Sequence, residues 1–223
     1  MNTAVGELLP LAVAIAISPV PIIATTLLLM GPRARALGPC FLAGWVLGVL
    51  TSVVVFTLLA GALPESSASG SRPVVGILQL LLGAALLAMA VRQWRSRPQP
   101  GDEQSLPAWM TKIDTMRPGA ALGTAALLAA VNPKNLFLAI AAGSTLGTSG
   151  LGAGAVAICI GIFVAIASLM IAVPVIGYLV VPDRAAPLLD SIRTWLASNN
   201  AAIMTVLLLI LGTKLVGNGI GAL

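Results

Sequence analysis

The sequence predicts an all-α polytopic membrane protein, with about six transmembrane helices in a single membrane domain over residues 1–223. Of the 223 residues, 58% are hydrophobic and only 9% are charged, whereas about 25% of the residues in a soluble domain are charged. The apolar residues form continuous blocks, each close to the ~20 residues that a transmembrane helix needs. They do not alternate in short strands, which excludes a membrane β-barrel. No length is left for a soluble domain.

The apolar blocks, taken in chain order, give the expected position of each helix. We predict spans at about residues 8–30, 39–62, 73–92, 119–146, 151–181 and 200–221. The first block begins a few residues after Met1, without a basic region before it or a small-residue cleavage site. We therefore expect a permanent span rather than a removable signal peptide.

The basic residues predict the orientation of the spans. Nine of the 12 Lys and Arg residues lie in the first, third and fifth loops, whereas the other side has Arg72 and, at most, Lys214. Because cytoplasmic loops carry the excess of Lys and Arg, we expect the odd loops in the cytoplasm and both termini outside a bacterial plasma membrane. The topology of the spans then explains the net charge of +5, and we expect no nucleic-acid partner.

Two of the predicted cytoplasmic loops contain an amphipathic helix, at residues 107–116 before the fourth span and 187–198 before the sixth. We interpret both as interfacial helices, which either connect spans at the membrane surface or contribute to gating or to lipid head-group binding. Their apolar positions are Trp109, Met110, Ile113 and Met116 in the first segment, and Leu188, Leu189, Ile192, Trp195 and Leu196 in the second.

The chain also contains a weak internal repeat. A shift of 114 residues places Ser18-Pro19 on Asn132-Pro133, and a shift of 129 places Leu80–Gly83 on Leu209–Gly212. We predict a first three-helix repeat at 1–95, a cytoplasmic loop at 96–118 and a second repeat at 119–223. Because each repeat has an odd number of spans, the two have opposite orientation, as in the inverted repeats of many secondary transporters.

The repeated prolines predict two broken helices, the first and the fourth. Proline removes a backbone donor and clashes with the carbonyl four residues back, so each span should bend there. Polar backbone at mid-membrane is tolerated only inside protein or beside water, which makes the paired breaks the candidate substrate cavity; a plain packing kink is the alternative. The candidate substrate-binding residues are Ser18, Pro19, Pro21, Asn132, Pro133, Lys134 and Asn135.

Lys134 is the one charged residue near the middle of a predicted span. A Lys at this depth costs about 2.5–3.5 kcal/mol on insertion scales, so its ammonium should face the protein interior or a cavity. Among the seven acidic residues, only Glu7 lies near a span, at its predicted outer end. Lys134 is therefore expected to bond carbonyls freed by the breaks, to lose its proton, or to meet an anionic substrate beside a half-helix N-terminus.

The sequence lacks the residues for several other functions. It has no His, and its two cysteines, Cys40 and Cys159, lie at opposite ends of their predicted spans. Intramembrane carboxylates that would bind a divalent cation are absent, so we expect no metal, no cofactor and no thiol relay. Without a nucleophile beside a base or a close pair of carboxylates, we do not expect an enzyme.

Small residues recur every fourth position on one face of the second and fifth spans. Such faces allow close helix approach, either between the two halves or in a homodimer. The residues are Gly44, Gly48 and Ser52 in the second span, and Ala157, Gly161 and Ala165 in the fifth.

Four stretches of the chain resemble a known family. These are Ser-Pro-Val-Pro-Ile-Ile at 18–23, Gly-Pro-Arg-Ala-Arg-Ala at 31–36, Phe-Leu-Ala-Gly-Trp-Val-Leu-Gly at 41–48 and Asn-Pro-Lys-Asn-Leu at 132–136. They resemble the GAP family, the peptidoglycolipid-addressing proteins of the LysE transporter superfamily. The resemblance implies a six-span plasma-membrane protein that helps to bring glycolipids or lipopeptides to the surface of bacteria with lipid-rich envelopes.

Three functional hypotheses follow. The first is a transporter that exports or flips an amphipathic, anionic membrane lipid, with Lys134 holding the head group and Asn132 and Asn135 donating hydrogen bonds. The second is a small-solute exporter of the amino-acid type that uses the same cavity. The third is a scaffold that docks a lipid-export machinery through the loop Arg92–Arg117.

Overall fold

The computed structural model describes residues 2–62, 73–97 and 116–222, which are helical throughout apart from short turns and contain no strand. The helices within these residues are α1 (Asn2–Ala16), α2 (Pro19–Met30), α3 (Ala34–Gly61), α4 (Pro73–Arg95), α5 (Pro118–Ala130), α6 (Pro133–Gly147), α7 (Ala153–Val180) and α8 (Pro182–Ala222).

The predicted fold class is confirmed. The helices α3, α4, α7 and α8 each contain a stretch long and apolar enough to cross a membrane. The pairs α1–α2 and α5–α6 reach the required length only together, and they bend by 51° and 64° at their breaks. Both breaks lie at the predicted prolines, because Pro19 and Pro133 begin the second helix of each pair and lack the N–H that would continue the first.

The pair α5–α6 runs alongside α3 in the same direction. A Cβ on Gly48 of α3 would lie 2.6 Å from the carbonyl oxygen of Ala126 in α5. Further along both helices, a Cβ on Gly147 of α6 would lie 2.7 Å from the backbone nitrogen of Gly61 in α3. Because α5 and α6 together follow one continuous helix for most of its length, the pair is a broken span rather than a re-entrant loop.

The helices α4 and α8 pack against each other in opposite directions. A Cβ on Gly83 would lie 2.9 Å from the carbonyl oxygen of Gly212, and a Cβ on Gly212 would lie 3.0 Å from that of Gly83. Earlier in α4 and later in α8, a Cβ on Gly219 would lie 2.8 Å from the carbonyl oxygen of Gly76. Gly83 and Gly212 are the positions that the internal repeat pairs, so equivalent residues meet between antiparallel helices, as expected of two oppositely oriented halves. The repeat boundaries themselves stay a prediction.

The long helices of each half pack against the broken helices of the other half. The helix α3 packs along α5 and α6, while α7 packs along α1 and α2. Trp45 of α3 is fully buried and donates its indole N–H to the carbonyl oxygen of Ala167 in α7, at 3.2 Å. The face of α3 that carries Gly44 and Gly48 lies on α5, so these glycines pack between the halves. The face of α7 around Gly161 is exposed, and a Cβ there would meet nothing within 4 Å.

The segment 187–198 differs from the prediction. It is not a separate interfacial helix but the first part of α8, which continues for 41 residues. The chain has no Pro or Gly between Pro187 and Gly212, so nothing interrupts the backbone hydrogen bonds. A helix of this length measures about 60 Å, twice the ~30 Å hydrocarbon core, and α8 must extend beyond the core. Residues 107–115 of the other predicted helix, like most of the loop 96–118, lie outside the described residues, and Met116 precedes the start of α5.

Candidate functional site

The break between α1 and α2 leaves carbonyl oxygens without helical partners. After α1 ends, Ser18 takes an extended conformation (φ −116°, ψ 100°), and Pro19 has no N–H to donate. The Ser18 hydroxyl donates to the carbonyl oxygen of Ile15 at 2.8 Å. The carbonyl oxygens of Ala14 and Ile17 remain as acceptors at the negative end of the α1 dipole.

The break between α5 and α6 is capped locally. The side-chain oxygen of Asn132 accepts from the backbone N–H of Lys134 at 3.0 Å, and Pro133 occupies the first turn of α6, where its missing N–H costs nothing. The amide of Asn135 donates to the carbonyl oxygen of Leu128 in α5 at 3.4 Å. Both asparagines therefore stabilise the bend from within the second half.

The side chain of Lys134 joins the two breaks. Its Nζ donates to the carbonyl oxygen of Ala14 at 2.7 Å, to the hydroxyl of Ser18 at 2.5 Å and to the carbonyl oxygen of Ile17 at 3.4 Å. The side chain is only 1% exposed. A protonated Lys has three N–H donors, so all three find oxygens of the first break. Of the three outcomes expected from the sequence, the structure contains the first, bonding to carbonyls that the break has freed.

A cavity of about 480 Å³ lies beside the joined breaks. Six of the seven predicted site residues line it, namely Ser18, Pro19, Pro21, Asn132, Pro133 and Lys134. Asn135 is not among the lining residues, and its side chain is 1% exposed behind the break. Its Oδ1 is buried and has no hydrogen-bond partner among the described residues.

Half of the cavity wall comes from helices that the sequence did not assign to the site. These residues are Met89, Arg92 and Gln93 of α4, Ser96 directly after this helix, and Asn200, Met204 and Leu208 of α8. The sequence analysis used Arg92 as a topology signal and as the start of the loop Arg92–Arg117, but not as a substrate-binding residue. One signal in the sequence could have found these residues, since polar side chains lie at the end of the third span and at the start of the sixth. The packing of α4 on α6 and of α8 on α2 brings these two ends to the breaks.

The cavity is cationic and lies in one half of the molecule. Lys134 borders its inner end, the exposed Arg92 borders its rim, and the described residues that line it include no Asp or Glu. Its lining residues in α4 begin at Met89, near the end of that helix, and those in α8 end at Leu208. The arrangement can accept an anionic group from one side, because Arg92, Gln93 and Asn200 offer donors that reach the same space.

Comparisons with known proteins agree with the family resemblance. A family model described as Sap, sulfolipid-1-addressing protein, matches residues 8–221, which cover nearly the whole chain and both breaks. No curated protein and no solved structure matches the chain.

Proposed function

Since the chain belongs to the sulfolipid-1-addressing protein family, we propose that it is a transporter that exports or flips an anionic, amphipathic glycolipid or lipopeptide across a bacterial plasma membrane. The lipid passes through the cavity between the broken helices towards the cell surface. The protein binds and moves the lipid without changing it covalently.

The observation that carries this proposal is the cationic cavity at the two breaks. Its volume of about 480 Å³ lies within the ~300–1,000 Å³ range of small-molecule sites. A space of this size suits a polar head group, whereas the acyl chains of a lipid would have to remain in the bilayer. The presence of Lys134 and Arg92 in the lining favours a negatively charged head group over a cationic one.

The one-sided position of the cavity supports an inward-facing state. Arg92 and the start of the sixth span lie on the side that the Lys and Arg distribution assigns to the cytoplasm. An inverted repeat could exchange the roles of its two halves, which would close the cytoplasmic cavity and open its counterpart outside.

Lys134 gives a reason why binding would be coupled to movement. Its three donors are occupied by Ala14, Ile17 and Ser18 in this conformation. An anion that enters the cavity can offer better acceptors than neutral oxygens, since hydrogen bonds between two charged groups are shorter and stronger. Lys134 would then leave the α1 carbonyls and hold the head group, while the two breaks, no longer joined, become free to rearrange.

The test is translocation by the purified protein alone in proteoliposomes. The probes are a head-group-labelled sulfated glycolipid and a labelled phosphatidylglycerol, with labelled phosphatidylcholine as the zwitterionic comparison. Wild type should move the anionic lipids faster than empty vesicles do, and Lys134→Ala should abolish the difference. The matched control is Lys214→Ala, which removes the other Lys of a predicted span but lies outside the cavity.

Other outcomes would contradict the proposal. Wild type that moves anionic lipids no faster than empty vesicles would overturn it and favour a scaffold for a lipid-export machinery. Transport of free amino acids without lipid movement would favour the small-solute exporter. Equal loss of lipid translocation in both Lys variants, with both proteins folded, would show that the cavity has no specific part in the mechanism.

A further inference from the structure

We propose that the C-terminal part of α4 is the lateral entrance for the lipid, where Arg92 binds the anionic head group while the acyl chains stay on the outer face of the helix. This inference rests on the proposed function and adds the route and the residue that selects the head group.

The entrance is a second cavity that adjoins the first. A groove of about 420 Å³ lies on the surface of α4 and is lined, as far as the described residues go, by this helix and by Ser96 directly after it. Its lining residues are Ala88, Val91, Arg92, Arg95 and Ser96. Arg92 and Ser96 also line the cavity at the breaks. The groove and the cavity therefore meet at these two side chains, and a head group at Arg92 is in reach of both.

The groove has the polarity of an amphipathic lipid. Ala88 and Val91, on the side towards the membrane centre, are exposed apolar residues, and Val91 is 50% exposed. Arg92 and Arg95, one helical turn apart, are also exposed. Two neighbouring guanidinium groups can bind the oxygens of a sulfate or phosphate with paired hydrogen bonds. The groove thus offers apolar contact towards the core and cations towards the surface.

A neighbouring contact indicates that this part of α4 lies at head-group depth. Trp94 is 50% exposed, and the guanidinium of Arg97 lies 4.1 Å from the centre of its ring. Tryptophan is enriched at the membrane–water interface, and an Arg stacked on it places the charge on the water side. Arg92 is less than one turn from Trp94, so its guanidinium reaches the level at which anionic head groups lie.

These observations favour a lipid over a soluble anion as the occupant. A soluble anion could enter the cavity directly and would have no use for an exposed apolar groove on one spanning helix. Arg92 and Arg95 line the groove, and Arg92 and Lys134 line the cavity. A zwitterionic lipid should bind less well, because these cations repel its cationic group.

The test measures equilibrium lipid binding, which does not require transport. The detergent-purified full chain is titrated with a sulfated glycolipid, and bound lipid is counted by native mass spectrometry for wild type, Arg92→Gln and Arg35→Gln. Arg35 is the control, since it is exposed and carries the same charge on the same predicted side but lines neither space. Arg92→Gln should weaken binding by about tenfold, as expected for one charge-assisted hydrogen bond, and Arg35→Gln should leave it unchanged.

A second measurement locates the acyl chains. A sulfated glycolipid with a photoreactive group in its acyl chain should label the peptide that contains Ala88 and Val91, and Val91→Trp should reduce this labelling by filling the groove. Leu81→Trp is the control, because Leu81 is a lipid-facing residue of the same helix, 65% exposed, outside the groove.

The outcomes separate this inference from the proposed function. Equal lipid binding by wild type and Arg92→Gln, or labelling confined to other helices, would contradict the proposed entrance even if wild type moves lipid. Binding that depends on Arg92 together with labelling at Val91 supports the entrance, and would do so even if the purified protein failed to translocate lipid and the transporter proposal fell.

Discussion

Substituting Gly48 by Ala should destabilise the protein, because this glycine lies in close contact with α5, in the broken span of the other half. The new Cβ would lie 2.6 Å from the carbonyl oxygen of Ala126 and 2.7 Å from the Cβ of Ala129. Ordinary carbon–oxygen contacts begin at about 3.3 Å, so α5 would have to move away by about 0.7 Å. Neither neighbour has a flexible side-chain end that could rotate aside. Overpacking of this kind costs about 1–3 kcal/mol.

The matched control is Gly161→Ala in α7. Both glycines lie in the interior of 28-residue helices, so the gain in helix propensity of about 0.5–1 kcal/mol is common to the two variants. A Cβ on Gly161 would meet nothing within 4 Å. The difference between the two variants then isolates the contact with α5. The free energy of unfolding is measured in mixed detergent micelles by titration with sodium dodecyl sulfate and followed by circular dichroism.

The expected result is a Gly48→Ala protein that is less stable than Gly161→Ala by about 1–3 kcal/mol. Equal stability of the two variants would refute the close packing of α3 on α5. A loss confined to Gly161→Ala would also contradict it, and would point instead to the homodimer seam that the sequence left open for this face of α7.

Three further substitutions test the two breaks and the contact between α3 and α7. Asn132→Ala should cost about 0.5–2 kcal/mol in the same unfolding assay, because its side chain caps the N–H of Lys134, and Asn132→Ser should recover most of the loss; an unchanged Asn132→Ala protein would contradict the cap. Ser18→Ala should cost about 1–3 kcal/mol, since it removes an acceptor from the buried Lys134 ammonium, whereas Ser18→Thr keeps the hydroxyl; equal losses in both would exclude the hydrogen bond as the cause. Trp45→Phe should cost about 0.5–1.5 kcal/mol through the lost bond to Ala167 and should leave lipid translocation unchanged; a selective loss of translocation would show that this contact takes part in the movement.

The spans and the breaks could be predicted because both depend on local sequence. Continuous apolar blocks define where a helix can lie in a membrane, and a proline within a block interrupts it wherever the block folds. The positions of Pro19 and Pro133 therefore predicted both bends. The separate helix at 187–198 was an error of the same local reasoning, since an amphipathic pattern does not reveal whether the backbone continues into the next span.

The candidate site could be predicted only in part. Six of the predicted residues at the two breaks line the cavity, but its other wall comes from α4 and α8. Arg92 and Asn200 lie at the ends of their spans, where charge and amide groups are common in any membrane protein. Only the packing of α4 on α6 and of α8 on α2 shows that they reach the breaks.

The sequence by itself determined that the chain is a bundle of membrane helices with two proline breaks and one buried Lys. It left three outcomes open for that Lys: bonds to carbonyls freed by the breaks, loss of its proton, or an anionic substrate. The tertiary structure brings Lys134 to the carbonyl oxygen of Ala14, 120 residues away along the chain. The physical reason is that a helix break frees acceptors locally, whereas the donor that satisfies them is chosen by how the two halves pack.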